Sequence, residues 1–414
     1  MVQQDALLHR VSGDPVVGKV WEDERAQMLE LLMRDGVLGS QTKLKVGPLA
    51  IATILELHPY WRGSIRYNEL TDAYECAGQR LTDAFATRVG HWFERQWHAH
   101  SIKRGDIEQQ YEFVARKNKY HPVRDMLCST PWDGTKRASA LHDALSATKD
   151  NKGLHLAYLE AWLAGAVRRI FEPGSKMDAM LVLQGNQGIR KSTFWHDLVG
   201  GTPAYNELGE DQWSKAEVIH AAWVHEFAEL ESVTTKAEVG ALKSHLSRRA
   251  DTFRPAYGRR VLYKERACAF VGTTNEVTFL RDRTGNRRFW IIPCRGQIDI
   301  DWVRENRLQI WAEAVARYKS GAGAWLGTLE AEQASLVLDN VAEDPWDQLI
   351  DDFLLRQQGS PFHTNDVLKH LDVDPARRVL ADSQRVGALL RARGYESGSV
   401  RVGSTFFKGW KRAL

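Results

Sequence analysis

Leu181-Val182-Leu183-Gln184-Gly185-Asn186-Gln187-Gly188-Ile189-Arg190-Lys191-Ser192-Thr193 decides the fold. The apolar run Ala179 to Leu183 suits a buried parallel strand. A Gly-containing loop follows and opens a helix through Phe194 to Leu198, which Gly200-Gly201 ends. Backbone N–H groups of such a loop point inward and, with the helix N-terminus, hold phosphate oxygens. On this reading Gly185, Gly188, Arg190, Lys191, Ser192 and Thr193 line a phosphate site. Lys191 reaches the β/γ-phosphates, and the Ser192 hydroxyl ligates Mg²⁺. The pattern G-x-x-x-x-G-K-[ST] is met at Gly185, Lys191 and Ser192, but Arg190 stands where the second Gly is expected. Arg fits there only if the backbone avoids a conformation reserved for Gly. The alternative is a chance Gly-Lys-Ser turn before a surface helix.

Further along, Ala221 to Val224 reads as a second short strand ending in acids, in Val224-His225-Glu226-Phe227-Ala228-Glu229. A nucleotide site needs a Mg²⁺ ligand and a group that orients the attacking water. Glu226 is the first candidate for both and Glu229 the second. Solvated acids on a helix turn are the bland alternative. His225 beside Glu226 gives half of a deaminase zinc motif, but no P-C-x-x-C accompanies it. A third run, Ala267 to Gly272, ends in Thr273-Thr274-Asn275, where Asn275 can hold a water or a γ-phosphate oxygen. A fourth, Arg288 to Pro293, follows Arg287 and Arg288, which can project across a subunit boundary as arginine fingers. A structural ion pair between Arg288 and Asp282 competes with that role.

Composition limits the partners. The 414 residues are 43% hydrophobic and 26% charged, as in ordinary globular chains, and 56 Lys+Arg against 53 Asp+Glu leave a net charge of only +3. Any basic surface is therefore local. Lys243 to Arg266 carries eight basic residues against two acids, so the rest of the chain is net negative. Within it Lys243, Arg248, Arg249, Arg254, Tyr257, Arg259 and Arg260 make a candidate loop that tracks a nucleic-acid strand, with Phe253, Tyr257 and Tyr263 to stack on bases. A solvated charged face, or Arg248 and Arg249 as nucleotide or intersubunit contacts, are the other readings. Most of the 15 Trp are expected to be core anchors. Four scattered Cys support neither a disulfide framework nor a zinc ribbon. No apolar run is long enough to span a membrane, and no signal-peptide core leads the chain, so a reducing, cytoplasmic setting is expected.

The strand–helix alternation predicts an α/β core over 175–320. A mainly helical region over 1–105, with Trp21 to Arg34 as one helix, and a helical segment over 106–174 precede it. The tail, 345–414, reads as helices at Trp346–Arg356, Asn365–Leu371 capped by Thr364, and Gln384–Arg393 capped by Ser383, then two strands flanking Gly403-Ser404. That pattern is winged-helix-like.

Together, and in this order, G-N-Q-G-I-R-K-S-T-F, V-H-E-F-A-E-L, L-S-R-R-A-D-T-F-R-P-A-Y-G-R-R, F-V-G-T-T-N and D-R-T-G-N-R-R-F-W resemble the virulence-associated E family of superfamily III-like helicase ATPases from phages and mobile elements. The segments N-K-Y-H-P-V-R-D-M-L (118–127) and P-W-D-G-T-K-R (131–137) add to the likeness. The resemblance implies an AAA+-type P-loop core, ATP and Mg²⁺, a hexameric ring of identical subunits, and movement along single-stranded or forked DNA in replication. Lys191 and Ser192 take the Walker A roles, Glu226 and Glu229 the Walker B region, Asn275 sensor 1, and Arg287 and Arg288 the finger. Lys243 to Arg260 falls where such enzymes contact DNA. No primase-sized region precedes the core, so any primase is expected to be a separate partner or absent. A DNA-binding replication initiator or defence regulator, switched by ATP with little turnover, is the competing function. A small-molecule P-loop kinase fits less well, since it leaves the basic stretch and the tail without a role.

Overall fold

In the computed structural model, residues 30, 46–97, 102–209, 212, 214–230, 236–254, 261–276, 286–321, 345–357, 360–375, 377–402 and 405–412 are described. The helix expected at Trp21 to Arg34 lies almost wholly outside them. The chain divides into two units, with the described residues up to 321 in the first and those from 345 in the second.

The first unit begins with a small α+β layer. Helix α1 (Pro48–Leu57) starts with Pro at its first position, where a fixed φ suits the turn and no N–H is needed. Strands β1 (Ile65–Asn68), β2 (Ala73–Cys76) and β3 (Gln79–Arg80) form an antiparallel meander. Helices α2 (Ala84–Trp97) and α3 (Arg104–Lys117) follow, and β4 (Lys119–Tyr120) pairs parallel to β1, giving the order β3-β2-β1-β4. On α2, Phe85, Val89, Trp92 and Phe93 recur at helical spacing and meet Ile51, Ile54 and Leu55 of α1 in one apolar cluster. The expectation of a mainly helical region did not include the meander, because strands of two to four residues carry no resolvable period. The expected boundary at 105 also falls inside α3.

Helices α4 (Pro122–Ser129), α5 (Ala138–Ala144) and α6 (Lys152–Phe171) lead to a five-stranded, all-parallel sheet. Its strands are β5 (Met180–Gln184), β6 (Tyr205–Glu207), β7 (Val224–Phe227), β10 (Ala269–Thr274) and β11 (Phe289–Pro293), in the order β11-β5-β10-β7-β6. Helix α7 (Lys191–Val199) follows β5, and α8 (Ala216–Ile219) lies between β6 and β7. Helix α9 (Lys236–Leu246) then precedes the hairpin of β8 (Ala250–Phe253) and β9 (Leu262–Glu265), and α10 (Ile300–Lys319) follows β11. Every residue of β5, β7 and β10 is buried, as a sheet covered on both faces requires.

Tryptophans fix the helices on that sheet. Trp162 on α6, Trp195 on α7, Trp223 before β7 and Trp311 on α10 are all fully buried. Trp223 and Trp311 lie 4.4 Å apart, and Trp162 and Trp195 5.2 Å apart. Indole N–H groups of Trp162, Trp223 and Trp311 donate to the carbonyls of Phe270, Ala166 and Leu198, so these large side chains bury no free donor there. Two strands differ from expectation: β7 runs Val224–Phe227, not Ala221 to Val224, and β6 falls in none of the expected runs. His225 and Glu226 look like a polar strand end, yet both are fully buried because the fold supplies their partners.

The second unit holds α11 (Asp347–Gln357), α12 (Thr364–His370), α13 (Leu380–Ala392) and the hairpin β12 (Tyr395–Val402)–β13 (Thr405–Arg412). Two caps move. Asp366 accepts from the His363 N–H and Asp382 from the Val379 N–H, so α12 and α13 start before Asn365 and Gln384, and Ser383 lies inside its helix. Among the described residues, no helix is long and apolar enough to cross a membrane.

Candidate nucleotide site and basic hairpin

Four polar features converge at the C-terminal edge of the parallel sheet, where open α/β folds place their ligands. The loop from Gly185 to Arg190 leaves β5 there. Gly185 cannot carry a side chain: a Cβ would lie 2.4 Å from the Cys294 carbonyl oxygen. Buried Ile189 pins the loop from beneath, and its backbone is tied to the chain after β11, where the Ile298 N–H donates to Ile189 (3.2 Å) and the Gln297 amide to Gly188 (3.3 Å). Asn186, Gln187 and Gly188 remain exposed.

Arg190 adopts φ 72° and ψ 33°, the left-handed region. The condition set by its residue type is therefore met narrowly, since this region favours Gly but is open to other residues at a cost of about 1–2 kcal/mol. Lys191 follows as the first residue of α7 and is buried. Its Nζ donates to the carbonyls of Gly185 (2.7 Å) and Asn186 (2.9 Å) and to Oδ1 of Asn275 (2.9 Å). The ammonium thus already links the loop to the end of β10. Thr193 is exposed one turn position beyond Ser192.

Ser192 Oγ donates to Glu226 Oε1 (2.7 Å), and so does Thr273 Oγ1 (2.7 Å). The Tyr205 hydroxyl on β6 donates to the other oxygen, Oε2. Burial pushes the Glu226 carboxyl above its usual range, the nearby Glu207 adds to that, and the three hydroxyl donors oppose it by favouring the charged form. The Tyr205 phenol is pushed far up, first by its own burial and then by the Glu226 charge. A hydroxyl and a carboxylate this close are hard oxygen donors of the kind Mg²⁺ takes, so Ser192 and Glu226 fit that ion. Among the described residues no cluster of three or more His, Cys, Asp or Glu could hold a metal ion alone. A Mg²⁺ shared with phosphate oxygens needs no such cluster.

The other predicted residues lie elsewhere. Glu229 is exposed beyond the strand end, with φ 52°. Arg287 and Arg288 precede β11, whose first residue, Phe289, pairs with Met180 at the start of β5. They therefore stand at the opposite edge of the sheet from Gly185, about five residues or ~17 Å of strand away. Arg288 Nε donates to Ser247 Oγ (3.1 Å), and Asp282 lies outside the described residues. Tyr205 and the Thr273 hydroxyl were missed as site residues. Tyr205 sits in no motif, and only the pairing of β6 beside β7 brings it to Glu226.

The basic stretch resolves into the end of α9 and the β8–β9 hairpin. Two of its cations are not on the surface. Lys243 is buried on α9, which corrects its assignment as a strand contact: the inner face of α9 packs into the core. Arg266, 1% exposed, donates to both oxygens of Asp251 (2.6 and 2.8 Å) and to the His245 carbonyl (2.8 Å). His220 Nε2 lies 3.2 Å from the same Asp251, and Phe253 stacks on the His220 ring. Arg248, Arg249 and Arg254 are exposed, and Tyr263 is 71% exposed. Tyr257, Arg259 and Arg260 lie outside the described residues. The hairpin so presents cations and an aromatic outward from a base fixed by buried ion pairs.

Among solved structures, the apo structure of the NrS-1 C-terminal region (305–718) is similar over 88% of this chain and 99% of that one, with 10% identity and a TM-score of 0.52. At that identity the likeness shows a shared fold alone. The A-form apo structure of the same region is similar over 70% of this chain and 78% of its own, with 11% identity and a TM-score of 0.41. No curated protein matches the sequence. Residues 127–343, more than half of the chain and including the whole parallel sheet, match the model of the virulence-associated protein E-like domain, and the chain belongs to that family.

Proposed function

We propose that this protein is an ATP-dependent, helicase-type DNA motor for replication of a phage or mobile genetic element, with an AAA+-type P-loop core and a winged-helix-like tail. The convergence of Lys191, Ser192, Glu226 and Asn275 at one sheet edge carries this reading. Backbone N–H groups of the Gly185–Arg190 loop hold the phosphates of ATP, and Lys191 turns from the loop carbonyls to the β/γ oxygens. Ser192 and Glu226 hold Mg²⁺, which when bound neutralises charge on those oxygens. Asn275 and Glu226 orient the water that attacks the γ-phosphorus, with Glu229 as the second acid. The bond to the bridging oxygen breaks, giving ADP and phosphate. Arg287 and Arg288 are too far from the loop of their own chain to act there, and their position suits a finger that completes the site of the next subunit in a hexameric ring. Arg248, Arg249 and Arg254, with Tyr257, Arg259 and Arg260 of the same stretch of sequence, track single-stranded or forked DNA, and a separate primase is a natural partner.

DNA-stimulated ATP hydrolysis and forked-duplex unwinding, measured on one preparation, test the proposal. Lys191→Ala should lower turnover by roughly 100-fold or more and stop unwinding, with unchanged circular dichroism. Undiminished hydrolysis in that variant would refute the site. Arg190, in its left-handed conformation, favours the second reading, an ATP-switched initiator or regulator. That reading requires tight ATP and DNA binding by wild-type protein that barely hydrolyses.

A further inference from the structure

Glu226 has both carboxylate oxygens engaged, and by three different elements. Ser192 from α7 and Thr273 from β10 share Oε1, while Tyr205 alone holds Oε2. Tyr205 belongs to β6, which among the described residues is an edge strand of the parallel sheet and pairs only with β7. In that register Glu207 is the residue opposite Glu226, and Tyr205 is opposite Val224, two positions back. Its long phenol spans that offset, whereas the Glu207 carboxylate opposite could only repel. The ring is held in turn by an edge contact with His196 of α7, at 5.5 Å and 83°. A carboxylate turns about its last bond readily unless each oxygen is fixed. Two donors on one oxygen leave the plane of the group free to tilt, and a third on the other oxygen removes that freedom.

We propose that Tyr205 is the positioning residue of this site: by holding Oε2 it keeps Oε1 turned to the Ser192 hydroxyl, so that the pair of oxygens meant for Mg²⁺ is assembled before nucleotide arrives. The inference rests on the ATP-site reading above and adds a residue that no motif contains. Tyr205 touches neither nucleotide nor water and acts only through Glu226. Its loss should weaken the metal-dependent part of nucleotide binding and leave the contacts of Lys191 and the loop intact.

The test is calorimetric binding of ATP by the full chain, in EDTA and across a Mg²⁺ titration, for wild type, Tyr205→Phe, Glu226→Gln and the double variant. Phe keeps the ring against His196. Expected for Tyr205→Phe are unchanged affinity in EDTA and about a tenfold rise in the Mg²⁺ concentration that gives half of the metal-dependent gain, the size of one hydrogen bond to a charged group. In the Glu226→Gln background the same substitution should add nothing, since neighbours that act as a unit are not additive. A 3-fluorotyrosine at position 205 keeps the donor and should give the wild-type Mg²⁺ midpoint, and unchanged circular dichroism of the Phe variant separates loss of the donor from misfolding. An unchanged midpoint in Tyr205→Phe overturns the proposal, as does an equal tenfold change in the Glu226→Gln background or failure of the fluorotyrosine to restore it. Absence of ATP binding by wild-type protein sinks the underlying site reading instead, whereas Lys191-dependent Mg-ATP binding with an indifferent Tyr205 leaves that reading standing.

Discussion

The loop from Gly185 to Ser192 and the stretch from Lys243 to Arg266 look alike as sequence signals: each is short, local and rich in groups that suit phosphate. In the folded chain they part company. Around the loop, Lys191 donates to Asn275 and Ser192 to Glu226, which ties the ends of three strands together. In the basic stretch the cations disperse, with Lys243 and Arg266 buried, Arg248 leaning on Asp251 at 3.8 Å, and Arg249 and Arg254 facing water. A motif with fixed spacing specifies backbone geometry and so survives folding. A charge count specifies only composition, and the fold spends part of that charge on its own structure.

The difference can be tested from its strongest element downward. Arg266→Ala should destabilise the protein by about 3–5 kcal/mol, read as a lower denaturation midpoint, because it strands the Asp251 carboxylate in the interior. A cost near zero would mean that Arg266 belongs with the surface cations after all. The pH response comes next. Burial lowers His245 to about 3 and His225 to about 4 from 6.5, so both are neutral in the fold. The unfolded chain takes up those protons as pH falls below about 6.5. Stability is therefore full above that pH and declines as pH falls toward about 3, and His245→Gln should flatten the slope of Tm against pH.

On the loop side, Arg190→Gly relieves the left-handed backbone but adds unfolded-state freedom, for a net gain of about 0.5–1 kcal/mol in stability. A destabilisation would show that the arginine side chain contributes more than its backbone costs. The smallest effect belongs to Arg248→Ala. Its ion pair is half exposed, so Tm should barely move, within about 0.5 kcal/mol. Binding of single-stranded DNA should weaken with a shallower salt dependence. A large loss of stability would place Arg248 with Arg266 in the anchoring network instead.

Most of the α/β sheet was legible because β5, β10 and β11 are apolar runs and the loop from Gly185 to Lys191 is a contiguous pattern. Glu226 and Asn275 were legible because each closes such a run. Even so, β7 was misplaced by three residues, since hydropathy marks His225 and Glu226 as exposed when the fold buries them among donors and acceptors. The β1–β3 meander escaped because its strands are too short to show a period.

Residues adjacent in sequence carried what the chain determined by itself: the strand–loop–helix unit, the order of its polar features, the helices and terminal hairpin of the tail, and the family. The tertiary structure alone decided which cations reach the surface, that Arg287 and Arg288 lie across the sheet from Gly185, and that Tyr205 meets Glu226. Local pattern encodes backbone conformation over a few residues. Pairing of strands far apart in the chain sets which side chains share a space, and no spacing rule within one segment contains that information.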